Sequence, residues 1–372
     1  MPSMTTDHWH FGRPELAQEY LATFERGLTS ARGLFARRRM GKTEFLKQDL
    51  IPAATAAGYL TAYVNLWDNR VHPGEALIAA LYEAIQARGV EKVLERLRIP
   101  LKKMKASGKV SGVGEGSFEA ELADKKPPSA SLLTEAMQKL DSKKKKLLLV
   151  IDEAQMLASV PNSNFAHALR ASLDIRKRNI KVIFAGSSET ALRSMFARPS
   201  EPFYNWAGLE PFQLLGKEFV EAMVEKVAEI SRHPLPIADA LSAFKELRNT
   251  PEFFRRYLDR YLINPIEGSN AALTYAKQHI FNSEDFERQW TEMLPADQAI
   301  LDLVATGVTD LYSKESRDAL AKALGLEKPV NKSTPQNALT RLTNKNVLTR
   351  IEVGRYQFED AAFADWVLHR DQ

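Results

Sequence analysis

Ala36-Arg37-Arg38-Arg39-Met40-Gly41-Lys42-Thr43 is the stretch whose reading decides the fold of this chain. It closes on the Gly-Lys-Thr of a phosphate-binding loop but carries alanine where such a loop opens on glycine. The flanks supply the required context. Ala31-Arg32-Gly33-Leu34-Phe35 reads as a short buried strand, and Glu44 to Leu50 as a helix that stops before Pro52. Backbone N–H groups at the start of such a helix face a phosphate, and the helix dipole favours its negative charge. Lys42 is placed to reach the β- and γ-phosphates, and the Thr43 hydroxyl to ligate Mg²⁺. The candidate phosphate-cradling residues are therefore Ala36, Arg37, Arg38, Arg39, Met40, Gly41, Lys42, Thr43 and Glu44. Ala36 is the departure, since a Cβ there restricts both the turn and the approach of the backbone.

A second element gives the loop a partner. Leu147-Leu148-Leu149-Val150-Ile151 is a continuous apolar run ending in Asp152-Glu153, as expected of a strand buried on both faces of a parallel sheet. Ligands bind at the carboxyl ends of such strands. There Asp152 would hold Mg²⁺ and Glu153 would polarise an attacking water. A further buried run, Ile180 to Gly186, ends in Ser187-Ser188, giving Ser187 as a γ-phosphate sensor and Ser188 as the cap of a helix from Glu189 to Phe196.

Composition bounds the remaining choices. A chain of 372 residues that is 44% hydrophobic can bury a large core and should divide into two or three domains. Without cysteine it has neither a disulfide framework nor thiol chemistry. The absence of a long apolar run and of a signal-like start predicts a cytoplasmic protein, and a net charge of +4 permits a nucleic-acid partner without requiring one.

Along the chain, Pro14 opens a helix, Leu60 to Leu66 reads as a second strand, and Pro73 to Arg88 as a long helix with further helix to Arg98. Lys109 to Leu122 reads as a hairpin or mobile insertion ended by Lys125-Lys126-Pro127-Pro128. Helices are expected at Ser131 to Leu140 and Phe165 to Lys177, and Leu214 to Ile280 is helical in pattern throughout. One helix, begun by Asn249-Thr250-Pro251, carries Arg255, Arg256 and Arg260; such arginines stabilise charge on the phosphates or form the wet face of the helix. Arg193 and Arg198 are candidates for reaching the nucleotide of a neighbouring subunit, which would require a homo-oligomer.

The last residues change character. Helices at Asp297 to Thr306, Ser313 to Leu324 and Ser333 to Asn344, then a hairpin turned at Val353-Gly354, compose a winged helix. Acidic residues slightly outnumber basic ones from Asp297 onward. The third helix and wing nevertheless gather Lys332, Arg341, Lys345, Arg350 and Arg355 against Glu352 alone. That face suits double-stranded DNA or an acidic protein partner.

Phe11-Gly12-Arg13-Pro14-Glu15-Leu16, the arginine-rich loop, Leu149 to Gln155, Ala185 to Ser188 and Asn249-Thr250-Pro251 together resemble, in this order, the archaeal-type ATPases of the STAND and AAA+ group of P-loop NTPases. The layout is also similar to that of the origin-recognition ATPases. The resemblance implies an α/β three-layer parallel-sheet core over residues 1–208, an all-α lid over 209–290 and a C-terminal winged helix over 291–372. It implies ATP with Mg²⁺ as cofactors, Phe11, Gly12 and Arg13 near the adenine, and Pro251 at the lid turn, where Asn249 replaces the usual glycine. Glu153, Lys42, Ser187, Arg255, Arg256 and Arg198 would be the catalytic set, with Thr43 and Asp152 on the metal. The expected activity is slow ATP hydrolysis driving a molecular switch. The alternatives are a DNA-binding regulator that does not hydrolyse and a scaffold indifferent to nucleotide.

Overall fold

The computed structural model describes residues 7–68, 72–85, 129–158, 163–281, 284–352 and 354–370. Its strands are β1 (Ala31–Phe35), β2 (Leu60–Asn65), β3 (Leu147–Asp152), β4 (Ile180–Gly186) and β5 (Gly208–Pro211), all parallel, in the order β2-β3-β4-β1-β5. Every residue of β3 and β4 is buried, which explains why neither strand alternates in sequence. Alternation reappears in the packing. Leu147, Leu149 and Ile151 join one apolar cluster with Phe184, Leu77 and Leu133, whereas Leu148 and Val150 join another with Ile183, Phe24 and Phe45. The helices Pro73–Ala84, Ser129–Ser142 and Ser163–Ile175 cover the first face, and Pro14–Glu25 with the phosphate-loop helix covers the second. This is the three-layer α/β core with a parallel sheet that the sequence leads one to expect.

Three local differences from the sequence reading have physical causes. The helix after the phosphate loop does not stop before Pro52. It runs as α-helix over Lys42–Phe45, widens to a π-helical turn over Leu46–Leu50 and continues as α-helix over Ile51–Ala56. Proline lacks an N–H and its ring crowds the carbonyl four residues back; the wider turn just before it relieves that clash. Strand β5 was not anticipated, because four residues ending in proline carry no period, and they carry the sheet past residue 208. Proline is tolerated there as on any edge strand, and Gly33 gives β5 room: a Cβ on it would lie 2.2 Å from Leu209 Cδ2. The short helix Ala361–His369 after the hairpin was also missed. The expected helix beyond residue 85, the hairpin or insertion at 109–122 and the Lys125 to Pro128 breaker lie outside the described residues.

The helices Lys217–Ile230, Ile237–Glu246, Pro251–Ile263 and Gly268–Phe281 form the lid around Phe219, Phe244, Phe254 and Tyr257. The N-terminal residues Trp9 and Phe11 pack on this cluster, with the Phe11 ring edge-on to Phe219. The helices Pro295–Ala305, Lys314–Ala323 and Ser333–Asn344 and the antiparallel pair β6 (Leu348–Glu352) and β7 (Arg355–Phe358) follow, in the winged-helix order. No helix among the described residues is long and apolar enough to cross a membrane.

One of the basic-face residues has a structural duty instead. Arg341 forms a forked ion pair with Asp297, at 2.6 Å from Nη2 and 3.0 Å from Nε to Oδ1, and Asp297 is 1% exposed. The pair ties the third helix to the first and leaves Arg341 only partly exposed, where Lys332 and Lys345 are exposed. Removing it strands a buried carboxylate. Arg341→Ala should therefore destabilise the chain by about 2–3 kcal/mol, measured by urea unfolding, and leave the salt dependence of any polyanion binding unchanged.

Candidate functional site

The phosphate loop leaves β1 at Phe35 and re-enters helix at Lys42. Its left-handed residues are Arg39 (φ 68°) and Gly41 (φ 81°), not Ala36. Glycine's freedom is therefore not needed at position 36, whose methyl group instead joins the apolar cluster that also holds Phe45. The second departure resolves similarly. Asn249 sits at φ 50°, and asparagine is among the few non-glycine residues that occupy that region readily.

Strand β4 separates β1 from β3, so Lys42 reaches across its end to the acidic tip of β3. Lys42 Nζ lies 3.2 Å from Asp152 Oδ1, and the Thr43 hydroxyl donates to Asp152 Oδ2 at 2.7 Å. The Tyr63 hydroxyl from β2 donates to the same oxygen at 3.1 Å. Burial alone would raise the Asp152 pKa. The charge of Lys42 and the three donors outweigh it and hold the carboxyl below its ordinary value. An ionised carboxylate beside a hydroxyl is a hard oxygen donor set, and it fits Mg²⁺.

Glu153 occupies left-handed backbone at φ 54°. Its Oε2 accepts from the Ser187 hydroxyl at 2.8 Å and from Gln155 Nε2 at 2.6 Å. Ser188 caps the helix Glu189–Ala197 through Ala191 N–H, at 3.2 Å. Ser188 thus holds the helix as read from the sequence, while Ser187 faces Glu153.

These groups border a cavity of about 830 Å³ between the sheet edge and the lid. Arg37, Arg38, Arg39, Met40, Gly41, Lys42, Thr43, Glu44, Glu153, Ser187, Pro251, Arg255 and Arg256 all line it. Asp152 stands directly behind Lys42 and Thr43. On the lid side Arg255 pairs with Asp7 at 2.8 Å and Arg256 with Glu252 at 2.6 Å. The Arg38 guanidinium stacks 4.3 Å from the Trp67 ring centre.

Other sequence candidates fall outside this wall. Phe11 is packed into the lid, and Gly12 lies against Asp49. Arg13 turns away, donating to the Gln213 carbonyl at 2.9 Å and resting over Phe45 and Phe212. Burial pushes its pKa down to about 10 against the opposing pull of Asp49 and Tyr20. These three residues join the core to the lid rather than facing the cavity. Arg198 is an exposed residue ending the helix Glu189–Ala197, and Arg193 pairs with Glu189 at 2.6 Å.

The sequence reading missed Trp9, Trp67, Ile230, Glu252, Leu258, Asp259 and Leu262, which complete the wall. Leu258 and Leu262, one turn apart on a helix otherwise rich in arginine, were the available signal.

No family model and no curated protein matches the chain. Solved structures do. The Walker-type ATPase of Pyrococcus abyssi matches with a TM-score of 0.62 at 17% identity, over 96% of this chain and 95% of that one. The ORC2 protein of Aeropyrum pernix, solved in ADPNP–ADP complexes, matches with a TM-score of 0.59 at 14% identity, over 96% of this chain and 93% of its own. Over nearly its whole length, therefore, this chain has the fold of the Walker-type and ORC ATPases.

Proposed function

We propose that the protein binds ATP with Mg²⁺ between the sheet edge and the lid and hydrolyses it slowly as a molecular switch. The observation that carries this reading is that Lys42 and Thr43, which line the 830 Å³ cavity, both converge on Asp152 directly behind them, at the tip of a strand separated from their own by a third. Trp9, Ile230, Leu258 and Leu262 offer an apolar seat for the base, and Lys42 with Arg37, Arg38 and Arg39 offers countercharge for the phosphates. Thr43 and Asp152 are the residues that would hold Mg²⁺, which when bound neutralises charge on the phosphate oxygens.

In the reaction, a water oxygen bonds to the γ-phosphorus while the bond from that phosphorus to the β–γ bridging oxygen breaks, its electron pair leaving on ADP. The proton of the water passes to the Glu153 carboxylate and then to the released phosphate. Ser187, hydrogen-bonded to Glu153, links that carboxylate to the end of β4. Arg255 and Arg256 bring positive charge from the lid as it closes.

The output runs through Arg39. Its guanidinium lies 3.6 Å from Glu252 of the lid and 3.8 Å from Asp360 at the start of the last helix, over the Phe253 ring. The neighbouring Arg37 feels the negative charges of Asp360 and Glu359 as well as the positive charge of Arg248. Phosphate oxygens would compete with these carboxylates for the loop arginines, so nucleotide state is felt by the winged helix. The basic residues Lys332, Lys345, Arg350 and Arg355 then present a face to double-stranded DNA or an acidic protein.

Three outcomes are expected. Lys42→Ala abolishes ATP binding, while Glu153→Gln keeps binding and stops phosphate release. If both variants hydrolyse like the wild type in a phosphate-release assay, the reading fails. Asp360→Asn, which keeps the helix cap but removes the charge, tightens ATP about threefold by calorimetry, the range of one weak, partly exposed ion pair. Binding to duplex DNA, titrated at two salt concentrations with and without ATP, weakens with salt and changes with nucleotide; a complex indifferent to both points to the acidic protein instead.

A further inference from the structure

We infer that Gln155 is a positioning residue that aims Glu153 at its water, and that Gly186 is glycine in order to make room for it. This rests on the reading of Glu153 as the group that polarises the attacking water.

Four observations converge. Glu153 holds a left-handed backbone conformation, uncommon for a residue with a side chain and often kept where function demands it. Both of its donors, Ser187 and Gln155, meet on Oε2, and Oε1 takes no donor among the described residues while the side chain borders the cavity. The two donors therefore fix the carboxylate plane and leave one oxygen to receive a proton from water. Ser187 comes from the end of β4 and Gln155 from the 3₁₀ turn Ala154–Ala158, so the carboxylate is gripped from two elements.

The Gln155 carboxamide is itself held at a cost. Its Oε1 is buried with no hydrogen-bond partner among the described residues. A buried acceptor left without a donor is unfavourable, and a chain selected for stability alone has no reason to retain it. Gly186 explains how the carboxamide fits. A Cβ on Gly186 would lie 2.6 Å from Gln155 Oε1 and 3.4 Å from Leu192 Cδ2. Gly186 is not among the residues of positive φ, so its backbone does not call for glycine; the space does. Strand β4 thus ends in a residue without a side chain where the carboxamide must pass to reach Glu153.

Steady-state hydrolysis and ATP-analogue binding of the full chain test this with the wild type, Gln155→Ala, Gly186→Ala and the double variant. Gln155→Ala should lower kcat about tenfold or more while KM and analogue affinity stay within about twofold, because a misaimed base loses rate and not binding. Gly186→Ala should do the same by displacing the carboxamide. The double variant should be no slower than Gln155→Ala alone, since the added methyl then meets no carboxamide. Gln155→Ala removes atoms and adds none, so it carries the test if Gly186→Ala does not fold. An unimpaired Gln155→Ala beside an active wild type overturns this inference alone, as do losses that multiply in the double variant. A wild type that binds the analogue but releases no phosphate overturns the reading of Glu153, and this inference with it.

Discussion

The ion pair between Lys42 and Asp152 is the constraint on which the rest of the structure depends. Lys42 opens the helix that follows β1 and Asp152 ends β3, two strands that the sheet keeps apart by a full strand. They meet at 3.2 Å across the end of β4, which lies between them buried on both faces and flanked by two separate apolar clusters. Moving a charged pair of this burial out of water is costly, and it is supportable here because Thr43, Tyr63 and the Glu153 N–H also satisfy the carboxylate. A shift in the register of β4 would break that set at once. Packing deep in the sheet and chemistry at its edge are in this sense one requirement.

The parts visible in the sequence were those governed by local rules. Continuous apolar runs at β3 and β4 announce strands covered on both faces, and Gly41-Lys42-Thr43 announces a loop because left-handed backbone and a phosphate-directed lysine leave few alternatives. The lid appeared as uninterrupted helical pattern for the same reason. What stayed hidden depends on distant partners. Nothing near Arg13 says that it will lie over Phe45 and Phe212, and nothing near Arg341 says that Asp297 will be buried beneath it. Edge strand β5 is too short to show a period. Pro52 misled because its usual effect on a helix is absorbed by a π turn that only the folded chain reveals.

Departures from a motif are informative only after the backbone is known. At position 36 the sequence suggested an impaired loop, yet the conformation there is ordinary and Arg39 takes the demanding one. That exchange also puts a long charged side chain at the sharpest point of the loop, where it meets both Glu252 and Asp360. Asn249 shows the complementary case, in which the demanding conformation persists and a tolerant residue replaces glycine.

The N-terminal segment has a mechanical consequence. Trp9 and Phe11 are packed on the lid, and Lys226 of the lid donates to the carbonyls of His8 and His10. A few residues later the same segment is bound to the core, with Asp49 accepting from Arg13 N–H and His10 lying 3.0 Å from the same carboxylate oxygen. The chain passes from core to lid again just after Phe212, and Arg13 ties that second crossing to the first through Gln213. The two crossings between core and lid are thereby fastened to each other by Arg13, so that the path of the chain at one crossing constrains the path at the other.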